Sequence, residues 1–287
     1  MYRELKYLLN TITIFAVATL SIVILTLIFI FMISESLPAL KSVGSEIFTS
    51  FNWYPTYDDA EYGLLTMIVD SFLLTFLTSL VVIPLGYIVS AYLYAYANLR
   101  EKEIVRSVLD LLSGVPSVVI GSVVLIYIAP VLITFEIWST ENLLLTIIGL
   151  TILSLPYVVS LTYESFESVD KVLFESALAL GSSRFSALFI VITRAALPGI
   201  LNAFILTVNR IMGETMVVLM VSGNANIIPK SLFDPLRTLT SAIASEMGEV
   251  ELGSLHYSVL FVAGLILLII SLILTWISKS IQRSWKH

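Results

Sequence analysis

Residues 12–33, ITIFAVATLSIVILTLIFIFMI, form an apolar run without a single charged side chain. About 20 such residues in a helix cross the ~30 Å hydrocarbon core of a bilayer. The whole chain of 287 residues is 58% hydrophobic and 13% charged, with a mean hydropathy of +0.98. A soluble domain of this length cannot bury so much apolar surface, so the sequence predicts an all-α membrane protein.

Six apolar runs are long enough to cross the membrane. They predict one membrane domain over residues 1–287, with spans at residues 12–33, 64–97, 109–131, 143–163, 195–221 and 257–278. The second run is too long for a simple span, and Pro84 and Gly86 are candidate bend sites within it. The first run is too long for a signal peptide and lacks an A-x-A site, so we interpret it as a retained span.

The basic residues predict the orientation, because cytoplasmic segments carry an excess of Lys and Arg. With a cytoplasmic N-terminus, the outer segments hold only Lys41, Lys230 and Arg237, and Arg210 lies inside a span. The inner segments hold the other eleven: Arg3, Lys6, Arg100, Lys102, Arg106, Lys171, Arg184, Arg194, Lys279, Arg283 and Lys286. Both termini are therefore predicted to be cytoplasmic, and nothing in the charge pattern suggests nucleic acid as a partner.

Two outer segments are large. Residues 34–63 carry Trp53, Tyr54, Tyr57 and Tyr62, which are typical of the membrane interface. Residues 222–256 form the larger external loop, and their apolar spacing predicts an amphipathic helix over residues 235–247 that lies on the membrane or folds back. The chain contains no cysteine, which excludes disulfides and thiol chemistry.

The cytoplasmic loop at residues 164–188 contains the sequence ESALALG, residues 175–181. Strong helix formers predict a short helix that ends at Gly181, with Glu175 as an exposed anion. The small side chains of Ala177 and Ala179 would let a protein groove close around it. Spacing alone leaves two interpretations open, a docking helix for another protein and a plain connector on the inner leaflet.

The fifth predicted span places charges inside the membrane. Arg210 and Glu214 are one helical turn apart in the sequence NRIMGET, and charges at such depth are costly. They form either a self-neutralising pair that fixes helix packing or a site where Arg210 briefly binds an anion. The planar guanidinium of arginine suits phosphate oxygens, which it binds bidentately. Asn209 and Thr215 add neutral polar groups, for a pathway or for interhelical hydrogen bonds.

The ESALALG segment resembles the loop by which permease subunits of ABC importers engage their ATPase. In that pattern, E-A-A is followed by three residues, G, nine residues and I-x-L-P, and Glu175, Ala177 and Gly181 match at the same spacing. Ser176 replaces an alanine, while Thr193-Arg194 stand where L-P is expected. The resemblance implies ATPase coupling through Glu175, Ala177 and Gly181, and it leaves open the hinge that the missing proline would form.

The fifth span resembles the signature of phosphate-type ABC permeases, and within that group the C-type subunit. Related stretches include Tyr62–Leu65, Ile83–Gly86, Ser113–Gly121 and the end of the external loop, so the likeness covers most of the chain from about residue 62 onward. It implies the type I importer permease fold in the cell membrane. It also implies a second, A-type permease, an ATPase dimer, an external phosphate-binding protein and a phosphate pathway past Arg210, Glu214, Asn209 and Thr215.

Asp70, His256 and the absence of catalytic motifs lead to further predictions. Asp70 stands where the family has glycine, and we expect it to face water near the outer mouth. His256 lacks partners for a metal site. The chain has no GxxxxGK[ST] loop and no catalytic triad, so we predict a non-catalytic subunit without a cofactor or metal.

Three alternatives remain at this point. One is a permease for sulfate, molybdate or tungstate. Another is an ion-coupled secondary transporter with Asp70, Arg210 and Glu214 as its relay, which would give the docking helix no purpose. A membrane-bound enzyme is the third.

Overall fold

The protein was analysed as a computed structural model that describes the backbone of residues 2–133 and 139–284 and the side chains of residues 11–132 and 139–282. The side chains of Arg3, Lys6, Arg283 and Lys286, counted above for orientation, lie outside this range. The described part is almost entirely helical. Its elements are α1 (Tyr2–Ser42), α2 (Glu46–Thr49), β1 (Trp53–Tyr54), β2 (Glu61–Tyr62), α3 (Leu65–Ala95), α4 (Leu99–Ser113), α5 (Ser117–Val123), α6 (Ala129–Ile133), α7 (Leu143–Glu167), α8 (Lys171–Ala179), α9 (Arg184–Ser186), α10 (Thr193–Met212), α11 (Met216–Val221), α12 (Leu239–Glu246) and α13 (Leu255–Ser284), with π-helical turns at Val124–Ile128 and Ala187–Ile192.

Five helical segments of the described chain are long and apolar enough to cross a membrane: Thr11–Ser42, Leu65–Ala95, Leu143–Glu167, Arg184–Met212 and Leu255–Gln282. A sixth span exists if the bent pair Leu99–Ser113 and Ser117–Leu132 counts as one. Four of the six predicted spans therefore coincide with one long helix each, with ends that differ by several residues.

The predicted third span at residues 109–131 is wrong as a continuous helix. The chain turns by 97° between Ser113 and Ser117. Pro116 has no N–H and disfavours a helical conformation at the residue before it, so α4 cannot continue into α5. The apolar arm begins only at Ser117, and α4 is a separate helix capped by Asn98, whose side chain accepts from the backbone of Glu101.

The predicted fifth span at residues 195–221 is also wrong as a continuous helix. Helix α10 ends at Met212, three residues leave the helix, and α11 begins at Met216. Gly213 lies at the C-terminal cap, where its backbone N–H reaches the carbonyl of Asn209. The break separates the two charged residues that a continuous helix would place on one face.

Helix α7 is central to the bundle and contacts α3, α10 and α11. Gly86 lets α3 approach α7 so closely that a Cβ there would lie 2.3 Å from Cγ1 of Val158. The hydroxyl of Ser90, one turn further on, donates to the carbonyl of Val159 at 2.9 Å. Small residues and interhelical hydrogen bonds of this kind hold helices together where lipid removes the hydrophobic driving force.

The external loop forms a compact layer over α3, α11 and α13. Its helix α12 covers only Leu239–Glu246, shorter than the predicted 235–247, because the preceding residues are used in an N-terminal cap. Thr238 and Ser241 form a reciprocal capping box at that end. Leu239 and Ala242 are fully buried in an apolar cluster shared with α1 and α13, so α12 is folded back into the protein.

Candidate substrate pathway and coupling site

Glu214 lies in the break between α10 and α11 and caps the second helix. Its Oε1 accepts from the backbone N–H of Met216 at 3.2 Å and of Val217 at 3.4 Å. A carboxylate at a helix start satisfies amide groups that have no partner within the helix. The acidic residue of the signature is thus committed to the backbone at the break.

Arg210 lies on the last turn of α10, exposed on the surface of the single chain. It forms no ion pair with Glu214. Its guanidinium carbon instead lies 5.3 Å from the centre of the Tyr157 ring, on α7. The self-neutralising pair considered from the sequence is absent from this conformation. An aromatic face attracts a cation and leaves its N–H groups available for other acceptors.

The remaining predicted pathway residues surround the same break. Asn209 and Thr215 are both half-buried, and the hydroxyl of Thr215 donates to the carbonyl of Gly213 at 3.3 Å. Asn209 and Arg210 thus lie on the last turn of α10, and Glu214 and Thr215 lie in the break that follows it.

The external loop is anchored directly beside the break. The hydroxyl of Thr240 on α12 donates to the backbone carbonyl of Glu214 at 2.9 Å. Asp70 accepts from the backbone N–H of Arg237 at 3.0 Å, and Ser71 accepts from that of Leu239 at 3.0 Å. The expectation that Asp70 faces water is wrong, since it is 0% exposed. Its location on α3 turns it toward the loop that covers this helix end.

Glu246 at the end of α12 is the centre of a polar cluster that joins α12 to β1 and α13. Its carboxylate accepts from the guanidinium of Arg237, from Nε1 of Trp53 at 3.1 Å and pairs with Nε2 of His256 at 2.7 Å. Burial raises the pKa of Glu246, but the hydrogen bonds from His256, Arg237 and Trp53 and the charge of Arg237 outweigh it, so the net pKa is lowered. A cavity of about 670 Å³ opens beside the cluster.

The ring of His256 is paired with the carboxylate of Glu246. No group of three or more potential metal ligands occurs among the residues that the structure describes.

The predicted docking helix is present as α8, which ends at Ala179, two residues before Gly181. Asp170 caps its start by accepting from the backbone N–H of Val172 at 3.0 Å. At its end, Gly181 has φ +87°, and the N–H of Ser182 reaches the carbonyl of Ala177 at 3.1 Å. This is the Schellman arrangement, which requires a left-handed residue and so favours glycine.

The three residues assigned to coupling differ in their surroundings. Glu175 is exposed, and a side chain at Gly181 would meet no atom within 4 Å. Ala177 is only 8% exposed, so its small side chain serves the packing of α8 on its own chain. Glu175, Ala179 and the Gly181 turn belong to the exposed side of α8, together with Leu180.

The missing L-P of the loop pattern coincides with irregular helix. Residues Ala187–Ile192 form π-helical turns, and the hydroxyl of Thr193 donates to the carbonyl of Leu188 at 3.0 Å. The same hydroxyl is 2.8 Å from the phenolic oxygen of Tyr87 on α3. A π-helical turn is a known source of helix bending, so an irregular segment exists here without proline.

The family follows from comparison with known proteins. Residues 83–287 match the model of the family described as binding-protein-dependent transport system inner membrane component. The chain belongs to this family. As an inner membrane component with several membrane-spanning helices, it is a multi-pass protein of the plasma membrane.

Relatives of this inner membrane component are transport permeases. A probable ABC transporter permease protein, YqgH of Bacillus subtilis, is 36% identical over 79% of this chain and 74% of its own. The phosphate transport system permease protein PstC of Mesorhizobium japonicum is 30% identical over 92% of this chain and 86% of its own. The fold is similar to that of a bacterial alginate ABC transporter solved with its periplasmic protein, with a TM-score of 0.65 and 13% identity over 94% of each chain.

Two contacts of the site could not be read from the sequence. Tyr157 and Thr240 lie 53 and 30 positions from Arg210, on different helices. Tyr157 follows Pro156 in an apolar run, and Thr240 belongs to a polar stretch of the external loop, so both resemble ordinary packing residues. Only the packing of α7 and α12 on the interrupted helix identifies them.

Proposed function

We propose that this chain is the C-type permease subunit of an ATP-driven importer of inorganic phosphate and forms half of the translocation pathway. The observation that carries this proposal is the state of Arg210, which is exposed beside the helix break and is held by an aromatic ring. An arginine without a carboxylate partner is available to a phosphate oxygen. The 30% identity to a protein named as a phosphate transport permease supports this cargo.

The proposed complex contains four kinds of partner. A second, A-type permease completes the pathway, an ATPase dimer hydrolyses ATP, a binding protein delivers phosphate at the external loop, and lipid surrounds the spans. The family is defined by its dependence on a binding protein, which supports an external partner. In this assignment the chain itself is not catalytic.

The proposed coupling runs through α8. The ATPase grips the exposed side of α8 around Glu175 and the Gly181 turn, while Ala177 fixes α8 on its own chain. Closure of the ATPase on ATP moves α8 together with the long helices before and after it, α7 and α10. Their displacement opens the pathway inward past Arg210, Glu214, Asn209 and Thr215.

The decisive experiment is purification of the chain with its partner subunits and its binding protein, followed by measurement of ATPase activity in proteoliposomes. Phosphate is expected to stimulate ATP hydrolysis and uptake, and sulfate, molybdate and tungstate are not. Stimulation by one of those anions in place of phosphate would assign the chain to another oxyanion. Uptake driven by an ion gradient without ATP would instead establish a secondary transporter.

A further inference from the structure

Arg210 has two candidate partners, and the structure separates them. Glu214 is the neighbour that sequence spacing suggests, but its carboxylate caps α11 at Met216 and Val217. Tyr157 is the neighbour that the fold supplies, with its ring centre 5.3 Å from the guanidinium carbon. The break at Gly213–Thr215 causes this choice, because it takes Glu214 off the helical face that carries Arg210.

The two partners would have opposite effects on an anion site. A carboxylate would take up N–H donors of the guanidinium and cancel its charge. A ring face attracts the cation through its quadrupole and uses none of the N–H donors. An arginine held by tyrosine therefore keeps both its charge and its planar fork for an incoming oxyanion.

Tyr157 is also placed where it can follow the coupling helix. It lies on α7, which ends at Glu167, three residues before the cap of α8 at Asp170. The ten residues from Tyr157 to Glu167 correspond to about 15 Å of continuous helix. One regular helix thus connects the Tyr157 ring to the chain segment that enters α8.

We propose that Tyr157 is a positioning residue for Arg210, and that its ring face holds the guanidinium ready to bind phosphate in the pathway. This inference rests on the proposed function. It assigns Tyr157 no contact with phosphate. The competing explanation is that Tyr157 only fills space between α7 and α10. In that case phosphate uptake depends on the volume of the side chain at position 157 alone.

The test uses the assembled transporter in proteoliposomes, with phosphate uptake measured as a function of phosphate concentration. Tyr157→Phe keeps the ring face and is expected to stay within about twofold of the wild type. Tyr157→Leu is expected to lower kcat/KM by about five- to thirty-fold. A series of phenylalanines with increasing fluorination at position 157 is expected to lower kcat/KM step by step, because fluorine weakens the ring quadrupole while the ring volume is nearly constant.

The outcomes distinguish a failure of the positioning role of Tyr157 from a failure of the proposed phosphate pathway past Arg210. A fluorinated series without a trend would overturn the role of the ring, whether Tyr157→Leu is active, impaired or unable to fold. If the series shows no trend but Arg210→Gln is inactive, only the positioning role fails. If Arg210→Gln in an assembled complex transports phosphate normally, the proposed pathway itself fails.

Discussion

The carboxylate of Asp70 and the backbone N–H of Arg237 form a 3.0 Å hydrogen bond, although the two residues lie 167 positions apart. Asp70 is fully buried on α3, and Arg237 precedes the cap of α12. The bond fixes the external loop to α3, next to the break between α10 and α11. Asp70 is therefore part of the tertiary structure of this chain.

Removing this anchor is expected to destabilise the external loop. Asp70→Ala leaves the buried N–H of Arg237 without a partner, which costs about 1–3 kcal/mol. Asp70→Asn retains an oxygen acceptor and should cost less. Thermal unfolding of the purified complex and proteolysis of residues 222–254 measure the effect. Asp59→Ala, on the exposed hairpin, is the control, and equal behaviour of the Asp70 and Asp59 variants would contradict the anchor.

The contact between Gly86 and Val158 predicts a specific pair of compensating substitutions. Gly86→Ala places a methyl group 2.3 Å from Cγ1 of Val158, so α3 and α7 must separate. Overpacking of this kind costs about 1–3 kcal/mol. Val158→Ala in the same chain removes the obstructing atoms and is expected to restore most of the unfolding temperature. A double variant no more stable than Gly86→Ala would disprove the direct clash.

The Gly181 turn is expected to matter for the ATPase rather than for folding. Gly181→Asn tolerates positive φ but adds a side chain to the surface proposed for coupling. We expect ATP-driven uptake to fall about fivefold or more, with normal expression. Gly253→Asn is a matched control, because Gly253 has φ +78° and is equally open, but lies before α13. Equal losses in both variants would indicate backbone strain and remove the case for docking.

Arg210 is expected to be required for transport of phosphate. Arg210→Gln removes the charge and the bidentate fork, and uptake should fall about 10- to 100-fold, as expected for a lost hydrogen bond to a charged group. Arg210→Lys keeps the charge and should retain part of the activity. Arg100→Gln, at an exposed position on α4, is the control. Co-purification of all subunits confirms that the complex still assembles.

The cluster around Glu246 predicts a dependence of stability on pH. Its carboxylate has a pKa below the ordinary value of 4.5, so the unfolded chain binds a proton more readily than the folded one. The stabilisation by the ionised Glu246 carboxylate is therefore complete above the ordinary pKa of 4.5 and is lost as the pH falls through the lowered pKa. Glu246→Gln should therefore lower the unfolding temperature at pH 7 and have a smaller effect in acid. If Glu246→Gln lowers the unfolding temperature equally at all pH values, the ionised carboxylate is not the source of the stabilisation.

The sequence predicted the parts of the site that depend on neighbours along the chain. Hydrophobic runs located four of six spans as continuous long helices, and the ESALALG segment located α8, because both signals come from a few adjacent turns. The predicted third and fifth spans ran across the 97° turn near Pro116 and the break after Met212. Proline and glycine are tolerated in membrane helices when neighbouring groups satisfy the backbone, so their presence alone does not locate a break.

What the sequence determined by itself is the class of protein, the family and the identity of the charged residues in the fifth span. Whether Arg210 meets Glu214 or Tyr157, and whether Asp70 faces water or Arg237, was decided only by the tertiary structure. In each case the chosen partner is distant in sequence, and the packing of α3, α7 and α12 around the interrupted helix sets the distance. Spacing along one helix fixes only local neighbours, whereas buried polar groups take the partners that the packed bundle places within reach.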